Sequence, residues 1–404
     1  MHLLVQKYGG SSLVTPELRQ QVVTHIMQAH KEKKKIVVVV SALGRWGDSY
    51  ATDTILDFLQ QISATPPLRE KDLLLACGEQ IAAAVLAVEV SEAGYAAVAL
   101  TGWQAGIITD GTYGNADIIR IKKERILRLL HDGKIVIVAG FQGITEDGEI
   151  TTLGRGGSDT SAVALAAALE AQRVEIYSDV DAVMTADPRL VPEAKPIQNI
   201  GYQEVLQMAR EGAKVIHPRA VDIALQYNIP LLLRKTGAEE MGTLVTHQRV
   251  SDGRSFMAKA KVVTGITNVS GLAQVRVLPD ANGQQLEEIL EKLWAADISI
   301  DLISLSPQEK MFTVFAVEQE KVESILSSLG YEVQVKRGYA KITVVGSGMR
   351  GIPGVMARIV TALNRAQTPI LQTADSHLNI SCLIPESNVT AAVRALHLEF
   401  GLHA

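Results

Sequence analysis

The run Gly154-Arg155-Gly156-Gly157-Ser158-Asp159-Thr160-Ser161 leads directly into Ala162-Val163-Ala164-Leu165-Ala166, and a short polar stretch later the apolar segment Val174 to Tyr177 follows. A glycine-rich turn that opens a helix, itself followed by a β-branched strand, is the pattern of a layered α/β protein. Glycines let a backbone approach a phosphate closely, and a helix start presents unpaired N–H groups to an anion. No Gly-Lys-Ser/Thr follows, which excludes a Walker loop, and Asp159 stands where the last glycine of a dinucleotide fingerprint belongs. Taken alone, the run fits another kind of phosphate loop or an ordinary capped helix after a tight turn.

Outward from this run, short apolar strands alternate with longer helical patterns through about residue 250. Strands are expected at Leu3 to Gln6, Ile36 to Val40, Ala96 to Leu100, Ile135 to Ala139, Val174 to Tyr177 and Pro230 to Arg234. Helices are expected at Pro16 to Lys31 (capped by Thr15), Leu73 to Val90, Ser161 to Ala171, Tyr202 to Ala213 and Arg219 to Tyr227. That order implies a mainly parallel sheet between helices. After the polar stretch His247 to Arg254 the units shrink to strand, helix, two strands, helix and strand, twice over. Gly283 and Ile298 in the first repeat match Gly354 and Ile370 in the second. The expected domains are therefore 1–250, 251–337 and 338–404.

The 404 residues, 47% apolar and 21% charged, suit a soluble chain of two or three domains. A net charge of −5 gives no general attraction for nucleic acid or anionic lipid. Met1 to Lys7 is too short and polar for a signal peptide, and Glu89 and Glu92 break the apolar run from Ile81, so no membrane span is expected. Cys77 and Cys382 have no ligand or disulfide spacing and read as buried thiols of a reducing cytoplasm. The nine histidines form no cluster, which argues against a protein-built transition-metal site.

Two further motifs lie just beyond strands, where open α/β sheets bind ligands. Lys7-Tyr8-Gly9-Gly10-Ser11-Ser12 puts an ammonium beside exposed N–H groups, which suits the outer phosphates of a nucleoside triphosphate. Ser178-Asp179 to Asp187-Pro188-Arg189 is an acidic loop ending in a turn. With the 154–161 run and Gly212-Ala213-Lys214-Val215, these motifs stand in the order and spacing of one family: over essentially its whole length the chain resembles the aspartokinases. Ser41-Ala42-Leu43-Gly44-Arg45 through Ala51-Thr52-Asp53 adds a fifth match, most like the diaminopimelate-sensitive isoform.

The resemblance implies an amino-acid-kinase domain followed by two βαββαβ ferredoxin-like ACT domains. It implies transfer of the γ-phosphoryl group of MgATP to the β-carboxylate of L-aspartate, giving 4-phospho-L-aspartate for lysine, diaminopimelate, threonine and methionine synthesis. On the same basis Lys7 and Lys214 would neutralise the transferring group and Asp159 would hold both ammonium groups. Arg155 would clamp the substrate α-carboxylate, and Glu79 would receive the α-ammonium. Ser41, Thr52 and Ser158 would hydrogen-bond substrate or phosphoryl group. Gly9, Gly10, Ser178, Asp179, Asp187 and Arg189 would contact the nucleotide, and Mg²⁺ would be held mainly by ATP oxygens. An ionised carboxylate nucleophile needs no general base, so positioning and positive charge should dominate. His217 before Pro218 reads as a cap or packing residue. Ala182 stands where the family usually has glycine, and a left-handed backbone there would strain its methyl.

The Pro279-Asp280-Ala281-Asn282-Gly283 and Gly351-Ile352-Pro353-Gly354 turns are expected at an effector site, with meso-diaminopimelate favoured and lysine or threonine as alternatives, in a cytoplasmic homodimer. A kinase for another carboxylate, or a non-catalytic amino-acid sensor, is the competing reading.

Overall fold

The structure is a computed structural model describing residues 2–404 except 214, 239–241, 248–261, 279–285, 307–308, 348 and 350–351. Lys214, the turn at 279–283, Gly351 and the expected 250/251 boundary therefore lie outside the described residues. The chain divides into two units, one of residues 1–183, 196–209 and 214–253, the other of 184–195, 210–213 and 254–404.

The first unit is built on an eight-stranded sheet. Its order is Asn199–Gly201, Thr243–Thr246, Leu231–Lys235, Arg173–Ser178, Leu3–Tyr8, Lys35–Val40, Ile135–Ala139 and Ala97–Leu100. The last six strands are mutually parallel. Parallel neighbours require crossover helices, which explains the alternation seen in the sequence. Helix Pro16–Lys31 begins where expected, with Leu18 N–H donating to Thr15 Oγ1 at 3.3 Å and Pro16 in the first turn. Val22, Val23 and Ile26 from it pack with Ala82, Ala83 and Leu86 from helix Leu68–Glu92 against Leu4, Ile36, Val38 and Ile137. On length and composition the 25-residue helix Leu68–Glu92 would pass as a membrane span. It is a core helix instead, since it buries Asp72 and Glu79 as well as its apolar side.

Helix Gly157–Ala168 starts four residues ahead of the expected Ser161, and every residue from Gly157 to Ala166 is buried. Small side chains allow that close packing between the sheet and helix Pro218–Tyr227. A second sheet of four short strands, Ile118–Ile121, Ile107–Thr109, Gln142–Ile144 and Ile150–Thr152, was not expected. Neither were helices Thr52–Ile62 and Glu124–His131. Cys77 is exposed on helix Leu68–Glu92, contrary to expectation, because it faces away from the sheet; Cys382 is buried.

The second unit holds a six-stranded antiparallel sheet in the order Asp301–Leu305, Lys310–Phe315, Gly265–Val277, Val333–Val345, Asn379–Pro385 and Gln372–Asp375. Its two central strands, each of 13 residues, run through both repeats. Ala273, Val275, Ile289, Phe312 and Leu326 form one core. Val263 and Ile266 instead join Ile342, Val344, Ile359, Leu363 and Leu396 in the other. The last strand of the second repeat therefore comes from sequence ahead of the first, and the repeats interlock. Residues 184–195 also depart from a catalytic domain running unbroken to 250, because Ala186 and Val191 are buried in that second core and Ile266 N–H donates to Thr185 O at 2.8 Å.

Candidate active site

The parallel strands all end at one edge of the first sheet, and the motifs around Lys7, Ser41 and Asp159 meet there. Lys7, the penultimate residue of strand Leu3–Tyr8, places Nζ 2.7 Å from Asp159 Oδ1, with both side chains nearly buried. Asp159 lies in the first turn of helix Gly157–Ala168, where the helix dipole favours a carboxylate. The next loop meets the first one backbone to backbone. Ser41 N–H donates to Tyr8 O at 3.1 Å and Gly44 N–H to Gly10 O at 3.1 Å. A Cβ on Gly10 would stand 2.4 Å from Ala42 O, so this glycine is needed for loop contact.

Glu79 reaches the same loop from helix Leu68–Glu92. It is 2% exposed, and its Oε1 accepts from Ala42 N–H at 3.1 Å. Its Oε2 is buried with no partner, and desolvation pushes its carboxyl up to about 8. Ser158 is buried against Gly140, where a Cβ would lie 2.9 Å from Ser158 Oγ. Thr52, half-buried, opens helix Thr52–Ile62. Arg155 is exposed, and its guanidinium has no hydrogen-bond or ion-pair partner among the described residues.

The proposed nucleotide contacts are more scattered. Ser178 ends its strand and accepts from Val180 N–H at 3.3 Å. Asp179 is engaged by Arg45 at 2.5 Å, both exposed. Asp187 and Arg189 pair with one another at 2.6 Å, and their segment packs with the second unit. That pairing holds the Asp187 carboxyl below its ordinary range. Ala182 is buried and has no left-handed backbone, so the expected strain is absent.

Several supporting residues escaped the sequence reading. Asp72, fully buried, accepts from Thr152 N–H at 2.7 Å, Thr152 Oγ1 at 2.8 Å and Gly114 N–H at 2.8 Å, fixing the approach to Gly154. Phe141 holds a left-handed backbone (φ 67°) and donates its N–H to Ser161 Oγ at 3.1 Å, tying the end of strand Ile135–Ala139 to the helix start. His217 makes no side-chain cap; it packs on Gly156. Burial holds its imidazole below the ordinary range, while Asp159 acts in the opposite sense. No local motif reveals these contacts, since Asp72 and Phe141 act through hydrogen bonds to residues distant in the chain and His217 through packing on Gly156.

One consequence is directly measurable. Gly156 has φ 67°, and a Cβ there would lie 2.2 Å from His217 Cβ. Gly156→Ala should displace the loop carrying Arg155 and Asp159, lowering kcat/KM roughly 10²-fold. Combining Gly156→Ala with His217→Gly, which removes the opposing Cβ, should recover part of that loss, and steady-state kinetics of the two single variants and the pair checks it.

Comparison with known proteins identifies the family. The amino acid kinase family matches residues 2–235, and an ACT domain matches residues 334–398. Aspartokinase 1 of Bacillus subtilis is 44% identical over 404 residues, covering 100% of both chains. The fold resembles that of E. coli aspartokinase III solved with aspartate and ADP in its R-state (TM-score 0.78, 23% identity, 98% of this chain and 99% of that one). It also resembles the T-state of the same enzyme solved with lysine and aspartate (TM-score 0.77, 22% identity, 99% and 100%). With a relative of this identity along its full length and the kinase family matched over more than half of the chain, the chain belongs to the amino acid kinase family and, within it, to the aspartokinases.

Proposed function

We propose that this chain phosphorylates the β-carboxylate of L-aspartate with ATP, and that the Lys7–Asp159 pair at the sheet edge is the observation that carries this reading. A carboxylate oxygen of aspartate attacks the γ-phosphorus, the bond to the β,γ-bridging oxygen breaks, and ADP leaves with the electron pair. The nucleophile is already ionised at neutral pH, so no proton has to be removed. Lys7 supplies positive charge to the transferring group, and Asp159 fixes the direction of its ammonium. Lys214 is assigned the matching role of neutralising charge on the transferring group.

Arg155 offers an unengaged planar fork for the α-carboxylate, and Glu79 a buried acceptor for the α-ammonium. Ser41, Thr52 and Ser158 orient the reacting groups. Gly9, Gly10, Ser178, Asp179, Asp187 and Arg189 are assigned to the nucleotide. For Asp179 this requires exchange of its Arg45 partner, and for Asp187 of Arg189. Mg²⁺ is assigned to the ATP oxygens and water, which can hold this hard cation without a dedicated protein cage.

The interlocked repeats are assigned to feedback control by an amino-acid end product, meso-diaminopimelate first and lysine or threonine next, in a cytoplasmic homodimer. Lysine accompanies the T-state of E. coli aspartokinase III. Hydroxylamine trapping of the acyl phosphate tests the reaction: L-aspartate should give hydroxamate, while L-glutamate and N-acetylglutamate should give little. No hydroxamate from aspartate sinks the assignment. Adding each effector to the same assay tests the control, which is lost if none lowers turnover alone or combined.

A further inference from the structure

The strand that carries Lys7 has a second polar face. Side chains alternate along a strand, so Gln6 and Tyr8 point to the side opposite Lys7. In register with them, Glu175 lies beside Gln6 and Tyr177 beside Tyr8. Gln6 is 1% and Glu175 4% exposed, an unusual pair inside a parallel sheet whose faces are normally apolar. Gln6 Nε2 and the Tyr177 hydroxyl both donate to Glu175 Oε2 at 3.0 Å, and Arg173 engages Oε1.

Helix Pro16–Lys31 answers with a polar stripe of its own. Gln21, Thr24, His25 and Gln28 follow the i, i+3, i+4, i+7 spacing of one helix side, next to the apolar stripe that packs the core. The two polar stripes do not close on each other. They bound a cleft of about 630 Å³, within the roughly 300–1,000 Å³ typical of small-molecule sites. His25 Nε2 accepts from Gly237 N–H at 3.3 Å, which leaves Nδ1 as the protonated, donating nitrogen.

We propose that this cleft, between helix Pro16–Lys31 and strands Arg173–Ser178 and Leu231–Lys235, is a second ligand site that takes a small oxyanion, a carboxylate or a phosphate. Among the described residues, Arg173, Arg234 and Lys34 line it together with two carboxylates, Glu175 held as above and Glu32 held by Lys34 at 2.5 Å. Arg173 uses Nε and Nη2 on Glu175, so its Nη1 is left to donate. The side-chain amides of Gln21 and Gln28 make no hydrogen bond among the described residues and supply further donors. None of these groups belongs to the phosphoryl-transfer machinery.

Calorimetric titration of the full-length protein, saturated with ADP to fill the nucleotide site, tests the proposal with inorganic phosphate in one arm and succinate in the other. Wild type should bind at least one probe saturably. Gln21→Glu/Gln28→Glu, which puts two carboxylates at the cleft's exposed rim, should weaken that binding about tenfold or more through like-charge repulsion, with kcat and both KM values unchanged. Absence of binding in the wild type, or equal affinity in the variant, overturns it. A change in sedimentation of the variant without a change in anion affinity also overturns it, marking the cleft as a contact between copies.

Discussion

Asp159→Asn should lower kcat roughly 10²- to 10³-fold while the KM for aspartate moves little. Lys7 Nζ sits 2.7 Å from this carboxylate, with side-chain exposures of 11% and 12%, so Asp159 decides where the ammonium points. The asparagine keeps the shape and removes the charge that holds Lys7. If Asp159 acts through Lys7, Lys7→Met/Asp159→Asn should be no worse than the poorer single variant. Multiplying losses would instead indicate an independent role such as a general base. Removing one partner of a buried pair costs about 3–5 kcal/mol of stability, so the thermal midpoint should fall and turnover is compared well below it. Arg155→Ala provides the contrast: the guanidinium is exposed and unengaged, so KM for aspartate should rise with kcat nearly kept. Equal, mild effects in both would contradict these roles.

How much of this was legible depends on whether the signal is local. Strands such as Lys35–Val40 and Ile135–Ala139 are continuous apolar runs, and helix Pro16–Lys31 announces both its cap and its first-turn proline. The four-stranded sheet escaped because its strands are three or four residues long and carry Gln142, Gly143 and Thr151, which read as loop. The interlocking of the repeats could not be read from periodicity. Gly265–Val277 looks like one ordinary strand, and only the packing of Ile266 with Val344 and Ile359 shows that its two ends serve different cores.

The site divides the same way. Lys7, Asp159 and Gly10 stand in recognisable motifs, but the contact of His217 with Gly156 joins residues 61 positions apart and has no sequence signature. Even Gly10 illustrates the limit: its glycine character was visible, but its reason, the backbone oxygen of Ala42, was not. The Arg45–Asp179 pair is also beyond sequence reasoning, since opposite charges on two exposed loops pair only when the sheet brings them together.

Glu79 gives the second large effect, and its sign follows from burial. The carboxyl rises from an ordinary 4.5 to about 8 because the charged form is desolvated. Between those values the folded protein binds a proton that the unfolded chain has released, so stability should fall progressively as pH rises from about 4.5 toward 8. Glu79→Gln should flatten that fall and leave the fold at least as stable at neutral pH.

Binding reverses the balance. An α-ammonium placed beside the unpartnered Oε2, as proposed above, would favour the carboxylate, so aspartate should expel the Glu79 proton as it binds. The KM for aspartate should therefore drop by up to about tenfold per pH unit on approaching 8 from below and level off above it. Glu79→Gln should raise KM about 10²-fold, abolish that slope and leave kcat within a few-fold, because the lost partner serves ground state and transition state alike. A variant that keeps the slope would assign the titration to another group and remove Glu79 from ammonium recognition. A variant that loses kcat while keeping KM would make Glu79 a support for the Ala42 loop, where Oε1 already holds a backbone N–H at 3.1 Å.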